Sequence, residues 1–304
     1  MIALADTHIH WQAWGMAIRP RTLPAGAAGV VMGSALAWAD GRFRLDAFLA
    51  CLAASLLLQI GSNLANDVFD FERGTDTPER LGPTRVTQSG LLSPAQVKAG
   101  MAVVFGLAAL VGLYVAWLGG WPIVVLGVAA ILAAIAYTGG PFPLGYHGLG
   151  EVFVFVFFGV ASVAGTYYVQ AGSVTTAAWY MTLPPGLVIT AILVVNNLRD
   201  IDLDRKGGKL TLAVRLGERG TKAEYVACMV AAYLVLPLAA AIRVVPWWAL
   251  LAWLSLPLAL RATRVVLTRK GRPLNAALAD TGMAALLFSL LFWVGMVVSR
   301  ATKG

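Results

Sequence analysis

The sequence predicts an all-α, polytopic membrane protein of about nine transmembrane helices. Three observations carry that reading. Of 304 residues, 59% are hydrophobic and only 12% charged, against roughly 25% charged in a soluble domain. Nine largely apolar runs reach the length of about 18 residues that a spanning helix needs. The polar residues gather between these runs, mostly in the connections of one side.

The first run, 16–38, follows His8, His10, Trp11 and Trp14 and flows into a full span, so no cleavable signal peptide is expected. Residues 1–14 read as a short interfacial or disordered segment, ahead of a single transmembrane domain over 15–304. Arg19 and Arg21 bracket Pro20 at the mouth of this helix. The second run, 45–66, ends among Asn63, Asn66, Asp67 and Asp70, and Gly74, Pro78, Gly82, Pro83 and Gly90 punctuate the polar stretch 67–96 into turns. Runs three and four, 97–118 and 121–138, meet at Gly119-Gly120. An uncharged, breaker-rich connection, 139–149, leads to run five, 150–171, whose phenylalanines at 153–158 read as lipid-facing or core. Run six, 179–198, ends in Asn196-Asn197-Leu-Arg199-Asp200-Ile-Asp202-Leu-Asp204. Runs seven to nine, 222–242, 246–268 and 277–299, follow, the last two anchored by Trp247, Trp248, Trp253 and Trp293. Cys51 and Cys228 fall in different helices near opposite faces, so no disulfide is expected between them.

The net charge of +8 reflects topology rather than nucleic-acid binding. With nine spans, one side collects 18 of the 23 Lys and Arg residues. The positive-inside rule makes that side cytoplasmic, with the N-terminus and both acidic clusters on it. A multi-pass protein of the inner, cytoplasmic membrane is expected.

The acidic clusters carry the chemistry. On a helix, Asn63, Asn66, Asp67 and Asp70 share one face, and Asn196, Asn197, Asp200 and Asp204 share another. Asp202 falls off that second face and is better placed to pair with Arg199 or Arg205. One such cluster alone would read as a solvated helix end. Two, with matching composition and helical phase, read as a joint oxygen-ligand site for Mg²⁺, which takes one or two carboxylates plus phosphate oxygens and keeps several waters. Asp76 extends the first cluster into its loop. Arg19, Arg21, Arg73, Arg85, Arg205 and Lys209, with Asn63 and Gln88, are candidates for holding a diphosphate or substrate. Tyr137 could face a developing cation.

These residues resemble the two aspartate-rich motifs of the UbiA superfamily of intramembrane prenyltransferases. The segments 66–76, 82–90, 19–24, 137–144, 196–205 and 208–217 are similar to the branch of that superfamily that makes menaquinone precursors, and the likeness covers nearly the whole chain from about residue 14. The superfamily often has a third Asp four residues after the second, where this chain has Gly74, with Asp76 two residues on. The resemblance implies nine helices around a central cavity capped by cytoplasmic loops. It further implies Mg²⁺ as cofactor, and a polyprenyl diphosphate and 1,4-dihydroxy-2-naphthoate as substrates in the lipid bilayer. Asp67, Asp70, Asp200, Asp204 and Tyr137 would then be catalytic. The same fold could instead serve 4-hydroxybenzoate, homogentisate or a chlorophyll precursor. A cation-coupled transporter is the reading from another class, but transporters usually place carboxylates near the midplane on broken helices. No protein partner is inferable.

Overall fold

The computed structural model describes residues 11–76 and 79–302; His8, His10, Pro78 and Lys303 lie outside them. The described residues form helices, turns and loops with no strand. Eight helices have the length and composition to cross a membrane: α1 (Trp11–Ala39), α2 (Leu45–Glu72), α3 (Pro94–Gly119), α5 (Gly150–Ala171), α6 (Thr176–Lys206), α7 (Leu212–Ala241), α8 (Trp247–Thr268) and α9 (Leu274–Ala301). Between α3 and α5 lies the shorter apolar α4 (Trp121–Ala136). Its 16 residues span roughly 24 Å at 1.5 Å per residue, short of a bilayer core of about 30 Å.

Local chemistry sets the helix ends. A capping box of Ser93 and Gln96, with Pro94 at the first position, starts α3 earlier than its apolar run. The second and sixth helices outrun their apolar segments and end at Glu72 and Lys206, so both acidic clusters are helical. Helix α1 is interrupted: Arg19 stands at φ 55° and a 3₁₀ turn, Pro20–Thr22, follows. Proline bars the α conformation to the residue before it and lacks the N–H that would continue the ladder. Gly217, at φ 70° and ψ 175°, breaks α7 after its first turn, and the charges of Arg215, Glu218, Arg219 and Lys222 around it make the apolar run start later than the helix.

The apolar stretches of α1 and α6 are each 67% buried inside the protein, whereas that of α3 is 17% buried. Helices α1 and α6 are therefore central and α3 faces lipid. Small residues allow α5 to approach the central α1. A Cβ on Gly29 or Gly33 would come within 2.3 Å of Ser162 Oγ or 2.4 Å of the Val163 carbonyl, the close crossing a Gly-x-x-x-Gly pair permits. Cys51 and Cys228 are both free thiols.

Candidate active site

The helices enclose a cavity of about 1210 Å³. Along α2 its lining runs from Cys51 to Asp70, 19 residue steps or roughly 28 Å at 1.5 Å each. Apolar side chains of α3, α4 and α5 wall most of it. Asn66, Asp70, Arg85, Asn196, Asn197 and Lys209 meet at one end. Both clusters therefore reach one chamber, the first through Asn66 and Asp70 and the second through Asn196 and Asn197; Asp200 and Asp204, expected as ligands, do not line it.

The α2 cluster divides into distinct jobs. Asn63 donates to the Ile18 carbonyl and to Thr22 Oγ1, both at 2.9 Å, tying α2 to the break in α1. Asn66 Oδ1 accepts from Thr138 at 3.0 Å. Asp70 is buried, taking a hydrogen bond from Arg85 at 2.9 Å and one from the Tyr146 hydroxyl at 2.8 Å. Asp67 does not line the cavity. Its two oxygens accept from the backbone N–H groups of Val86 (3.2 Å) and Thr87 (2.9 Å), and Arg19 lies 3.9 Å away. Asp67 thus anchors the loop that carries Arg85.

Loop 79–92 is the positive wall. Arg85 is 5% exposed and pairs with Asp70, while its Nε lies 3.1 Å from Asp76; Arg80 pairs with the same Asp76. Burial by itself pulls the Arg85 guanidinium down, but Asp76, Asp70 and Asp67 outweigh it and hold the group above its ordinary value. Arg80 stands below its ordinary value, through burial first and then the neighbouring Arg85. Arg19 Nη2, Arg80 Nε and both Nε and Nη1 of Arg85 are buried without a hydrogen-bond partner among the described residues. Buried donors rarely stay unpaired, and three such arginines around a single chamber call for an anion.

On α6, Arg199 bonds Asp200 (Nε to Oδ1, 2.9 Å), Asn196 (2.8 Å) and Asn275 of α9 (2.7 Å). Asn275 in turn donates to the Leu81 carbonyl at 2.9 Å, so the α2 loop is pinned to the α6 cluster. Asn197 donates to Glu151 at 3.0 Å. Asp204 lies 3.9 Å from Lys209, and Lys209 sits over the Tyr146 ring, 5.1 Å from its centroid. Tyr146 links Asp70 to the segment that follows α6, because its carbonyl also accepts the Leu210 N–H at 3.0 Å.

Other expected residues lie apart. Arg73 donates to the carbonyls of Thr138 and Gly140, holding loop 139–149 rather than facing the chamber. Arg205 is exposed and 3.7 Å from Asp202, the pairing its helical phase predicted. Gln88 does not line the cavity, whereas Arg21 and Tyr137 do. Phe153, Phe157 and Phe158 line it too, where the sequence suggested lipid or core. Sequence reasoning missed Tyr146, Glu151 and Asn275. Glu151 had a signal, a lone carboxylate opening an apolar run; Tyr146 and Asn275 had none.

Three of His, Cys, Asp and Glu nowhere converge as a metal cage among the described residues. The donors at the polar end are Asn and Asp oxygens, few in number, beside a site for an anion. That set fits a hard cation completed by phosphate oxygens and water.

A model of the UbiA prenyltransferase family matches residues 27–287. The chain is 40% identical to the 1,4-dihydroxy-2-naphthoate octaprenyltransferase of Escherichia coli over 95% of this chain and 96% of that one. It is also 40% identical to the enzyme of that name from Mycobacterium tuberculosis, covering 91% and 94%. Among solved structures, a UbiA homologue from Aeropyrum pernix superposes with TM-score 0.69 at 17% identity, covering 93% of this chain and 98% of that one. A UbiA homologue from Archaeoglobus fulgidus, bound to GPP and Mg²⁺, superposes with TM-score 0.67 at 13% identity, covering 94% and 99%. The chain is a multi-pass membrane protein that belongs to the UbiA prenyltransferase family.

Proposed function

We propose that this protein transfers a polyprenyl group from a polyprenyl diphosphate to 1,4-dihydroxy-2-naphthoate, releasing CO₂ and diphosphate and giving demethylmenaquinol. The observation that carries this is the chamber itself: a long apolar cavity ending at three arginines, four of whose buried nitrogens have no hydrogen-bond partner among the described residues, opposite a few Asn and Asp oxygens. A lipid tail with a charged head fits such a shape. The naphthoate acceptor is supported by relatives of that name along nearly the full chain.

Arg85, Arg80, Arg19 and Lys209 hold the diphosphate and meet the charge that develops on it as the allylic C–O bond breaks, with the electron pair leaving on oxygen. Asn66, Asp70, Asn196, Asn197, Asp200 and Asp204 would hold Mg²⁺, which when bound supplies Lewis-acid stabilisation of the leaving oxygen. Asp67 serves from behind by fixing the Arg85 loop. Tyr137, on the cavity wall, offers its ring to the allylic cation. The electron-rich acceptor ring attacks, and loss of its carboxyl group as CO₂ and of a proton restores aromaticity. The apolar walls keep out water that would otherwise trap the cation. The site faces the cytoplasm, in the inner membrane.

Purified protein with Mg²⁺, dihydroxynaphthoate and a series of polyprenyl diphosphates, analysed by mass spectrometry, tests this. The expected product is a prenylated, decarboxylated naphthoquinol, lost with EDTA and in Asp70→Ala or Asp200→Ala. Full turnover by both variants, or preference for 4-hydroxybenzoate or homogentisate, would contradict it.

A further inference from the structure

We propose that Glu151 is a positioning residue, turning the Asn197 carboxamide so that its oxygen faces the chamber; this rests on the functional reading above. Glu151 is 7% exposed and sits in the first turn of α5, where the positive end of the helix dipole favours a carboxylate. It accepts the Asn197 amide nitrogen at 3.0 Å, and Asn197 is itself buried on the cavity wall. A carboxylate only accepts hydrogen bonds, whereas a carboxamide both donates and accepts. Facing a carboxylate, Asn197 must therefore turn its nitrogen toward α5. No hydrogen bond to Asn197 Oδ1 forms among the described residues, so the oxygen is left for the chamber.

The need for this control follows from the neighbours. Within the second cluster the Arg199 guanidinium already bonds Asn196 and Asp200, which occupies part of their accepting capacity. Asn197 is the α6 amide oxygen not committed to that arginine. An amide free to flip would show the chamber a donor half the time, repelling positive charge on the α6 wall. Glu151 removes that freedom. Its second oxygen is buried and without a hydrogen-bond partner among the described residues, so Asn197 is the side-chain hydrogen-bond partner that Glu151 meets at this depth.

The test is a suppression series. Glu151→Gln keeps the shape but can donate as well as accept, so the Asn197 amide can flip. The expected loss is about 10–100-fold in turnover, the usual size for a supporting partner of a metal or charge site, with thermal stability unchanged. Asn197→Asp alone puts two carboxylates in contact and also loses activity. The double variant Glu151→Gln/Asn197→Asp shows the chamber an oxygen whichever way the 197 side chain turns, and turnover returns to within a few-fold of the parent. Calorimetric binding of geranyl thiodiphosphate with Mg²⁺, which does not react, should weaken and recover in the same order. Wild-type kinetics in Glu151→Gln would overturn the proposal. So would a loss that Asn197→Asp leaves unrepaired, the result expected of a purely structural carboxylate. If the unmodified protein fails to prenylate dihydroxynaphthoate, the functional reading falls, while the binding series still judges Glu151.

Discussion

Asp67→Asn separates two roles for a carboxylate that sequence alone places with the metal ligands. In the structure both Asp67 oxygens accept backbone N–H groups, from Val86 at 3.2 Å and Thr87 at 2.9 Å, in a site 1% exposed. Asparagine keeps one acceptor and turns an NH₂ group toward the other N–H. One hydrogen bond to a charged acceptor is then lost, at about 1.5–3 kcal/mol. At 1.4 kcal/mol per factor of ten, the open population of loop 79–92 rises about tenfold to about 150-fold. Hydrogen exchange of the 86–92 amides, followed by mass spectrometry in lipid nanodiscs, reads this directly. Exchange there should accelerate by that factor while the α9 amides are unaffected. The Michaelis constant for the prenyl diphosphate should rise as Arg85 loosens. Unchanged exchange at 86–92, together with a shifted Mg²⁺ requirement, would refute the anchoring role and return Asp67 to the metal.

Other substitutions follow from the same geometry. Tyr146→Phe removes the 2.8 Å hydrogen bond to Asp70 and should cost about 1–3 kcal/mol of transition-state stabilisation, seen as reduced turnover. Burial and then the Asp70 charge push the Tyr146 phenol above its ordinary value, so it stays a donor, and this bond should add no alkaline limb to the rate below about pH 10. Arg73→Ala should disturb loop 139–149, visible as faster exchange there, yet raise the donor Michaelis constant far less than Arg85→Ala, because Arg73 is spent on the Thr138 and Gly140 carbonyls. Gly33→Ala would drive a methyl group to 2.4 Å from the Val163 carbonyl. Backbone cannot step aside cheaply, so unfolding in detergent should fall in line with an overpacking cost of about 1–3 kcal/mol.

Much of the architecture was legible because lipid imposes a simple grammar. Apolar length marks spans, and the helices α2, α5, α8 and α9 begin or end within a few residues of their runs. Misjudged boundaries had local causes that hydropathy does not weigh: the Ser93–Gln96 capping box of α3 and the Thr211 cap of α7. The two clusters were visible because carboxylates are rare beside a membrane core and their helical phase repeats. What each member does was not visible. Asp67 and Asp70 lie three residues apart on one face, yet one meets loop amides and the other meets Arg85 and Tyr146. That difference depends on where loop 79–92 and loop 139–149 fold back, which is a tertiary fact. The same holds for Arg73, indistinguishable from Arg85 in charge and neighbourhood but turned to a different loop. The phenylalanines of α5 read as lipid-facing because periodicity shows an apolar face without saying that a cavity lies behind it.

The central claim is that the polar ends of α2 and α6 grip one diphosphate between them. Electron cryomicroscopy of the protein in nanodiscs with Mg²⁺ and farnesyl thiodiphosphate tests it most directly. The account predicts head-group density bounded by Asn66 and Asp70 on one side and Asn196 and Asn197 on the other, with Arg85 and Lys209 against it and the tail running along the apolar wall toward Cys51. Density seated against only one of the two helix ends, or outside the chamber, would contradict it.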